Sequence, residues 1–195
     1  MKSVQLRKLT VTAIMSALAA VLMFIEISVP IIPSFIKLDV SELPALITTF
    51  AFGPGCGVAV CFLKNLIHLP FSSTFCVGEL SNFIHGAVFV LVAGLFYKYR
   101  HNRKSAFIGA MAGDFAMAVM CFFINFFLVY PIYIKLLLPE EAILGMYQAI
   151  LPSVDSLWKA ILIFNVPFTF AKGLISVGVT FAVYPRLSPL MKGKK

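Results

Sequence analysis

The chain has 195 residues and a formal charge of +8, with 61% hydrophobic and 12% charged residues. A soluble domain is about 45–50% apolar and about 25% charged, so an excess of this size excludes a water-solvated fold and makes lipid the solvent. At about 20 residues per crossing, the length holds about five to seven spans in a single transmembrane domain over residues 1–195, with no separate soluble domain.

Lys2, Arg7 and Lys8 precede the first apolar run, and Ala17-Leu18-Ala19 has the form of a signal-peptide cleavage site. The apolar run continues through Ile25, and the part before Ala17 is too short for a full signal core, so a retained first helix over residues 6–27 is expected. Pro30 and Pro33, in the segment that ends at Ser34, break it, because proline removes a donor and disfavours helix before it. Residues 35–40 form a loop. A second span starts near Ser41, with Ser41 as cap and Pro44 in the first turn, and ends in the glycine turn 53–57. The third covers 58–69. Both are short for a bilayer, which implies tilt or partial re-entry. The fourth covers 78–99, the fifth 106–133 and the sixth 156–183. Residues 135–155 form the longest polar connection.

Six spans put both ends on one side together with the loop 98–104. That side then carries Lys2, Arg7, Lys8, Lys98, Arg100, Arg103, Lys104, Arg186, Lys192, Lys194 and Lys195, eleven of the sixteen Lys and Arg residues. Positive charge concentrates on the cytoplasmic side, so a multi-pass protein with both termini in the cytoplasm is expected. The same bias accounts for the net charge without a nucleic-acid partner. Cys56, Cys61, Cys76 and Cys121 form no CxxC and have no zinc-spaced His pair, and read as small apolar fillers rather than a disulfide or redox set.

No phosphate-binding loop, HExxH or GxSxG is present, so no enzymatic activity is expected and any ATP-driven work belongs to a partner. The informative residues are polar groups at membrane depth, which are costly and tend to be functional. Lys172 lies inside the sixth span, with Thr169 on its face and Asn165 nearby; it is either a ligand contact or a lysine paired with an acid. Pro167 frees a carbonyl beside them. Asn125 sits among Phe122, Phe123, Phe126 and Phe127, where an amide can read the edge of a flat ligand held by rings, or bond another helix. Glu79 and Asn82 face Lys64, Asn65 and His68 as a polar cluster. Asp114 is structural or a coupling contact. Ala13, Ala17 and Ala20, with Thr12 and Ser16 alongside, and Gly109 with Gly113, are small-residue stripes for close helix approach, within the subunit or to another.

Taken in order, several stretches carry a family resemblance. They are Phe35-Ile36-Lys37-Leu38-Asp39-Val40-Ser41-Glu42-Leu43-Pro44-Ala45-Leu46-Ile47, Phe50-Ala51-Phe52-Gly53-Pro54, Lys64-Asn65-Leu66-Ile67-His68, Gly78-Glu79-Leu80-Ser81-Asn82-Phe83, Asn125-Phe126-Phe127 and Val166-Pro167-Phe168-Thr169-Phe170-Ala171-Lys172-Gly173. Together they resemble the riboflavin-specific substrate-binding (S) components of energy-coupling factor (ECF) transporters. The resemblance implies an all-α integral membrane fold of six transmembrane helices in the bacterial plasma membrane, with riboflavin as transported ligand and no cofactor. It implies substrate contacts among Lys172, Thr169, Asn125, Leu38, Asp39, Leu46, Glu79 and Asn82. It also implies a membrane coupling (T) protein and two ATPase subunits as partners, met through Ala13 and Ala17. The family pattern leads to Asn where Thr169 stands; a hydroxyl can still hydrogen-bond.

Riboflavin offers a flat ring, a uracil-like edge and hydroxyls without net charge, which suits aromatics, an amide and one donor. An S component for another vitamin would keep the alanine stripe. A small channel or secondary transporter would need a continuous polar path or an inverted repeat, and neither is evident.

Overall fold

A computed structural model describes residues 2–33, 35–99 and 101–192. Arg100, Lys194 and Lys195 of the basic set, and Ser34 of the proline break, lie outside the described residues. Helix α1 (Lys2–Phe24) leads into a two-residue hairpin, β1 (Ile27–Ser28) with β2 (Lys37–Leu38), in which Ile27 faces Leu38. Helices α2 (Glu42–Phe52), α3 (Pro54–His68), α4 (Val77–Tyr99) and α5 (Arg103–Ile124) follow. A wide π turn (Asn125–Val129) joins α5 to α6 (Tyr130–Leu136). Helix α7 (Glu140–Gln148) is separate, and α8 (Leu157–Ala160) passes through a second wide turn (Ile161–Asn165) into α9 (Val166–Lys192).

Among the described residues, five apolar helical segments are long enough to cross a membrane: Val4–Phe24, Pro54–Phe71, Val77–Tyr99, Arg103–Leu136 and Leu157–Val183. With the shorter apolar α2, Glu42–Phe52, they make up the six expected helical segments. Leu9, Ile14, Phe115 and Phe127 are among the large apolar side chains on the outer surface, as a lipid-solvated protein requires. Helix α2 is short because it does not face lipid. Residues 42–50 are all buried, and α2 packs against α1, α3, α4 and α9.

Several local expectations are corrected. Residues 35–40 are not a plain loop, since Lys37 and Leu38 pair with the chain leaving α1. The connection 135–155 contains α7. The glycine turn shrinks to Gly53, whose φ of 98° lies in the left-handed region that glycine tolerates, and Pro54 already opens α3. Ser41 does not cap α2 with its side chain. The fifth and sixth spans are each interrupted by a π turn shortly before a proline, Pro131 or Pro167. Proline has no N–H and its ring crowds the carbonyl four residues back, and a locally wider turn relieves both.

Lipid tails are as apolar as leucine, so helices here associate through close packing and hydrogen bonds rather than by escaping water. The α4–α5 seam shows this. A Cβ on Gly113 would lie 2.5 Å from the Phe89 carbonyl oxygen, and one on Gly109 would lie 2.8 Å from that of Ala93. These glycines therefore serve packing within the chain. Replacing Gly113 with leucine should cost about 1–3 kcal/mol or more and lower the thermal midpoint in detergent by several degrees. Gly145→Ala, where nothing lies within 4 Å of the new Cβ, should leave the midpoint unchanged or raised.

Candidate ligand-binding site

A cavity of about 460 Å³ opens at the end of the bundle where α1 and α3 finish and α2, α4 and α9 begin. The volume is within the range of small-molecule sites. Its apolar wall includes Met23, Phe24, Phe35, Phe71, Tyr130, Tyr133 and Phe168, and its polar lining includes Asn82, His85, Asn125, Asn165, Thr169 and Lys172. The basic ends Arg7, Lys8, Lys98, Arg103 and Lys104 lie at the opposite ends of these helices.

Most of the expected site residues meet here. Lys172, Thr169, Asn125, Asp39, Glu79 and Asn82 all line the cavity. Two do not. Leu46 is fully buried in the core with Ala45, Ile47, Val60 and Phe89, one turn too deep along α2 to reach the cavity. Leu38 sits in β2 between the lining residues Lys37 and Asp39, but is itself outside the lining. The phenylalanines flanking Asn125 are likewise not the cavity's aromatics: Phe123, Phe126 and Phe127 point outward and are exposed. The aromatic rings that surround the cavity come from α1, the hairpin segment, the turn after α3, α6 and α9.

Lys172 is paired. Its Nζ donates to Asp39 Oδ2 at 2.8 Å. Asp39 Oδ1 accepts from the Ser41 N–H at 2.8 Å and the Ser41 hydroxyl at 2.5 Å. Ser41 Oγ in turn accepts from Lys64 Nζ, which also donates to Glu42 Oε1, both at 2.6 Å. Lys64 is fully buried. Its partner is thus Glu42 rather than Glu79, so the expected polar cluster divides. Glu79 instead meets His68 Nδ1 at 2.9 Å and accepts from Ser72 Oγ at 2.7 Å. Asn65 turns back to the Cys61 carbonyl. Asn82 donates to Met23 Sδ at 3.8 Å.

The wide turns set the amides. Asn125 opens the first and donates to Cys121 Sγ at 3.0 Å, and that sulfur is 3.2 Å from Thr169 Oγ1. Asn165 closes the second. Its Nδ2 donates to Tyr130 Oη at 2.9 Å, Tyr147 Oη donates to its Oδ1 at 2.7 Å, and the two tyrosine hydroxyls bond each other. This closed ring ties α7 to the start of α6 and to the second turn. Tyr130 and His85 line the cavity and were missed as site residues from sequence; for Tyr130 the signal available was its place directly before Pro131 in an apolar span. Asp114 is sealed between α5 and α9 and does not line the cavity. In α1, Thr12, Ser16 and Ala20 are buried, whereas Ala13 and Ala17 are exposed on the outer face.

The sequence matches the family described as ECF transporter, substrate-specific component over residues 7–184. The chain belongs to this family. It is 32% identical over 188 residues to a protein of Staphylococcus aureus named riboflavin transporter RibU, covering 96% of this chain and 94% of that one. It is 27% identical to the Bacillus subtilis protein named riboflavin transporter FmnP, covering 98% and 97%. A solved structure described as the S component of a bacterial ECF transporter superposes with a TM-score of 0.76 at 32% identity, covering 96% of this chain and 99% of that one.

In this S component the pairing of Asp39 has a pH signature. Burial pushes the Asp39 carboxyl up, but the charges of Lys172 and Lys64, with the hydrogen bonds from Lys172 and Ser41, outweigh it and hold the group well below the usual carboxylate range. A lowered folded-state value stabilises the fold above the unfolded value of about 4, and that contribution is lost as pH falls through the folded value. Thermal midpoints should therefore drop on the acid side of about pH 4, and Asp39→Asn should show a smaller acid-side drop than the parent.

Proposed function

We propose that this chain is the riboflavin-binding subunit of an ECF-type vitamin uptake transporter in the cell membrane, with both termini cytoplasmic and the cavity facing outward. The observation that carries the reading is the charge state of the cavity: its lysines are already committed, Lys172 to Asp39 and Lys37 to Glu26. What remains for a ligand is amides, hydroxyls, rings and the Lys172 N–H groups that Asp39 does not take, which suits a flat, uncharged, hydroxyl-rich molecule. A phosphorylated ligand would need an uncommitted cation. The names of the relatives in Staphylococcus aureus and Bacillus subtilis point the same way.

The ring system packs among Phe35, Tyr133 and Phe168 while Asn125, Thr169 and Lys172 bond its polar edge. The segment around Leu38 and Asp39 closes over it. A T protein and two ATPase subunits then drive the filled subunit to topple in the membrane, through the α1 face bearing Ala13 and Ala17. Exposure of that face, with Leu9, Ile14, Leu18 and Val21 beside it, supports a partner there.

Purified full-length protein should quench flavin fluorescence at nanomolar riboflavin. No quenching, together with binding of a different vitamin, would sink the riboflavin assignment. Asn125→Leu and Lys172→Met should each weaken binding about tenfold or more, since a lost hydrogen bond to a buried polar partner costs about 1–3 kcal/mol. Replacing Ala13 and Ala17 with phenylalanine should abolish uptake by cells carrying the coupling module and leave purified-protein binding intact. Loss of binding instead would place the stripe inside the subunit.

A further inference from the structure

Asp114 stands apart from the other buried acids. Asp39, Glu42 and Glu79 each have a cation or histidine and a hydroxyl or thiol against them. Asp114 has no exposed surface, and neither Oδ1 nor Oδ2 has a hydrogen-bond partner among the described residues. A polar group left unsatisfied in a membrane interior calls for a reason. The carboxylate occupies the hollow left by Gly173: a Cβ there would lie 1.8 Å from Oδ1 and 2.5 Å from the carboxyl carbon. Any other residue at 173 would fill that space.

Gly173 follows Lys172. With a Cα–Cβ bond of about 1.5 Å and consecutive Cα atoms 3.8 Å apart, Asp114 Oδ1 lies no more than about 7 Å from the Lys172 Cα. The four-carbon stem of a lysine spans roughly 6 Å. By length alone, the stem can therefore place the ammonium within hydrogen-bond distance of Asp114. Met117, on the same face of α5 as Asp114 and one turn nearer the mouth, lines the cavity, so Asp114 lies just beneath its floor.

We propose that Asp114 is the second counter-ion of Lys172, a positioning residue that takes the ammonium when the Asp39 segment lifts away. This rests on the transport reading above. In this proposal the segment that carries Asp39 lifts as the ligand enters, and that movement breaks the 2.8 Å contact between Asp39 and Lys172. The lysine would otherwise be a bare cation at membrane depth, because Lys64's acid, Glu42, is already engaged. Asp114 lowers the cost of the open state, and Asp39 reclaims the lysine as the segment closes.

The test is a double-mutant cycle on the full chain, read by thermal midpoint without ligand and by riboflavin association followed through flavin fluorescence. Asp39→Asn and Asp114→Asn should each be tolerated, since one acid remains. Together they should lower the midpoint by at least about 3 °C more than the sum of the single changes, and Lys172→Met should abolish that excess. Asp114→Asn alone should slow association about tenfold, and Asp114→Glu should restore it. Additive midpoints, or an excess that survives Lys172→Met, would overturn the pairing. If Asp114→Asn does not fold, recovery of folded protein by Lys172→Met supports the proposal and failure to recover overturns it. The midpoint cycle needs no ligand, so a failure of the riboflavin assignment remains distinguishable.

Discussion

Two lysines and two carboxylates lie together where α2, α3 and α9 meet the hairpin segment at the cavity; Asp39, Glu42 and Lys64 are buried and Lys172 is partly so, and each charge there has an opposite partner. Lys172, Asp39, Lys64 and Glu42 are joined in one chain through Ser41. Such a network adds little net stability compared with a well-packed apolar core, but removing Glu42 alone leaves Lys64 without its ion-pair partner, at about 3–5 kcal/mol. It therefore specifies an arrangement more than it strengthens one. Asp39 reaches Lys172 only if the hairpin segment lies over the cavity. Glu42 reaches Lys64 only if the first turn of α2 is held against α3.

The second constraint comes from two prolines. Pro131 and Pro167 each follow a wide turn, and each turn carries an asparagine toward the cavity. Wide turns of this kind occur often at functional sites because they re-aim side chains without ending the helix. Here they allow Asn125 to stand near Thr169 and Asn165 to join the tyrosine ring that holds α7 down. Packing of α4 on α5 through Gly109 and Gly113 fixes the wall to which these turns belong.

Much of this was legible in the sequence, for identifiable reasons. Long apolar runs separated by basic loops gave the spans. Polar residues at membrane depth gave Asn125, Thr169 and Lys172, because lipid makes such residues conspicuous. What the sequence hid depends on tertiary partners. Residues 35–40 carry no period long enough to announce a strand, and β2 exists only because β1 lies opposite. The face that Phe123, Phe126 and Phe127 present follows from the packing of α5 and its wide turn, and aromatics turned to lipid read the same as aromatics around a ligand. Lys64 reads as a neighbour of Glu79 along the chain, yet the approach of α2 gives it Glu42. Leu46 shares the matched stretch with Asp39 but lies on the core side of α2.

The most direct measurement is an experimental structure of the full chain solved with riboflavin. The account predicts the flavin ring in the cavity, with Asn125, Thr169 and Lys172 within hydrogen-bond distance of its polar edge and the Asp39 segment closed over it. A flavin bound elsewhere on the chain, or a cavity too closed by the Lys172–Asp39 contact to admit it in any form, would contradict that account.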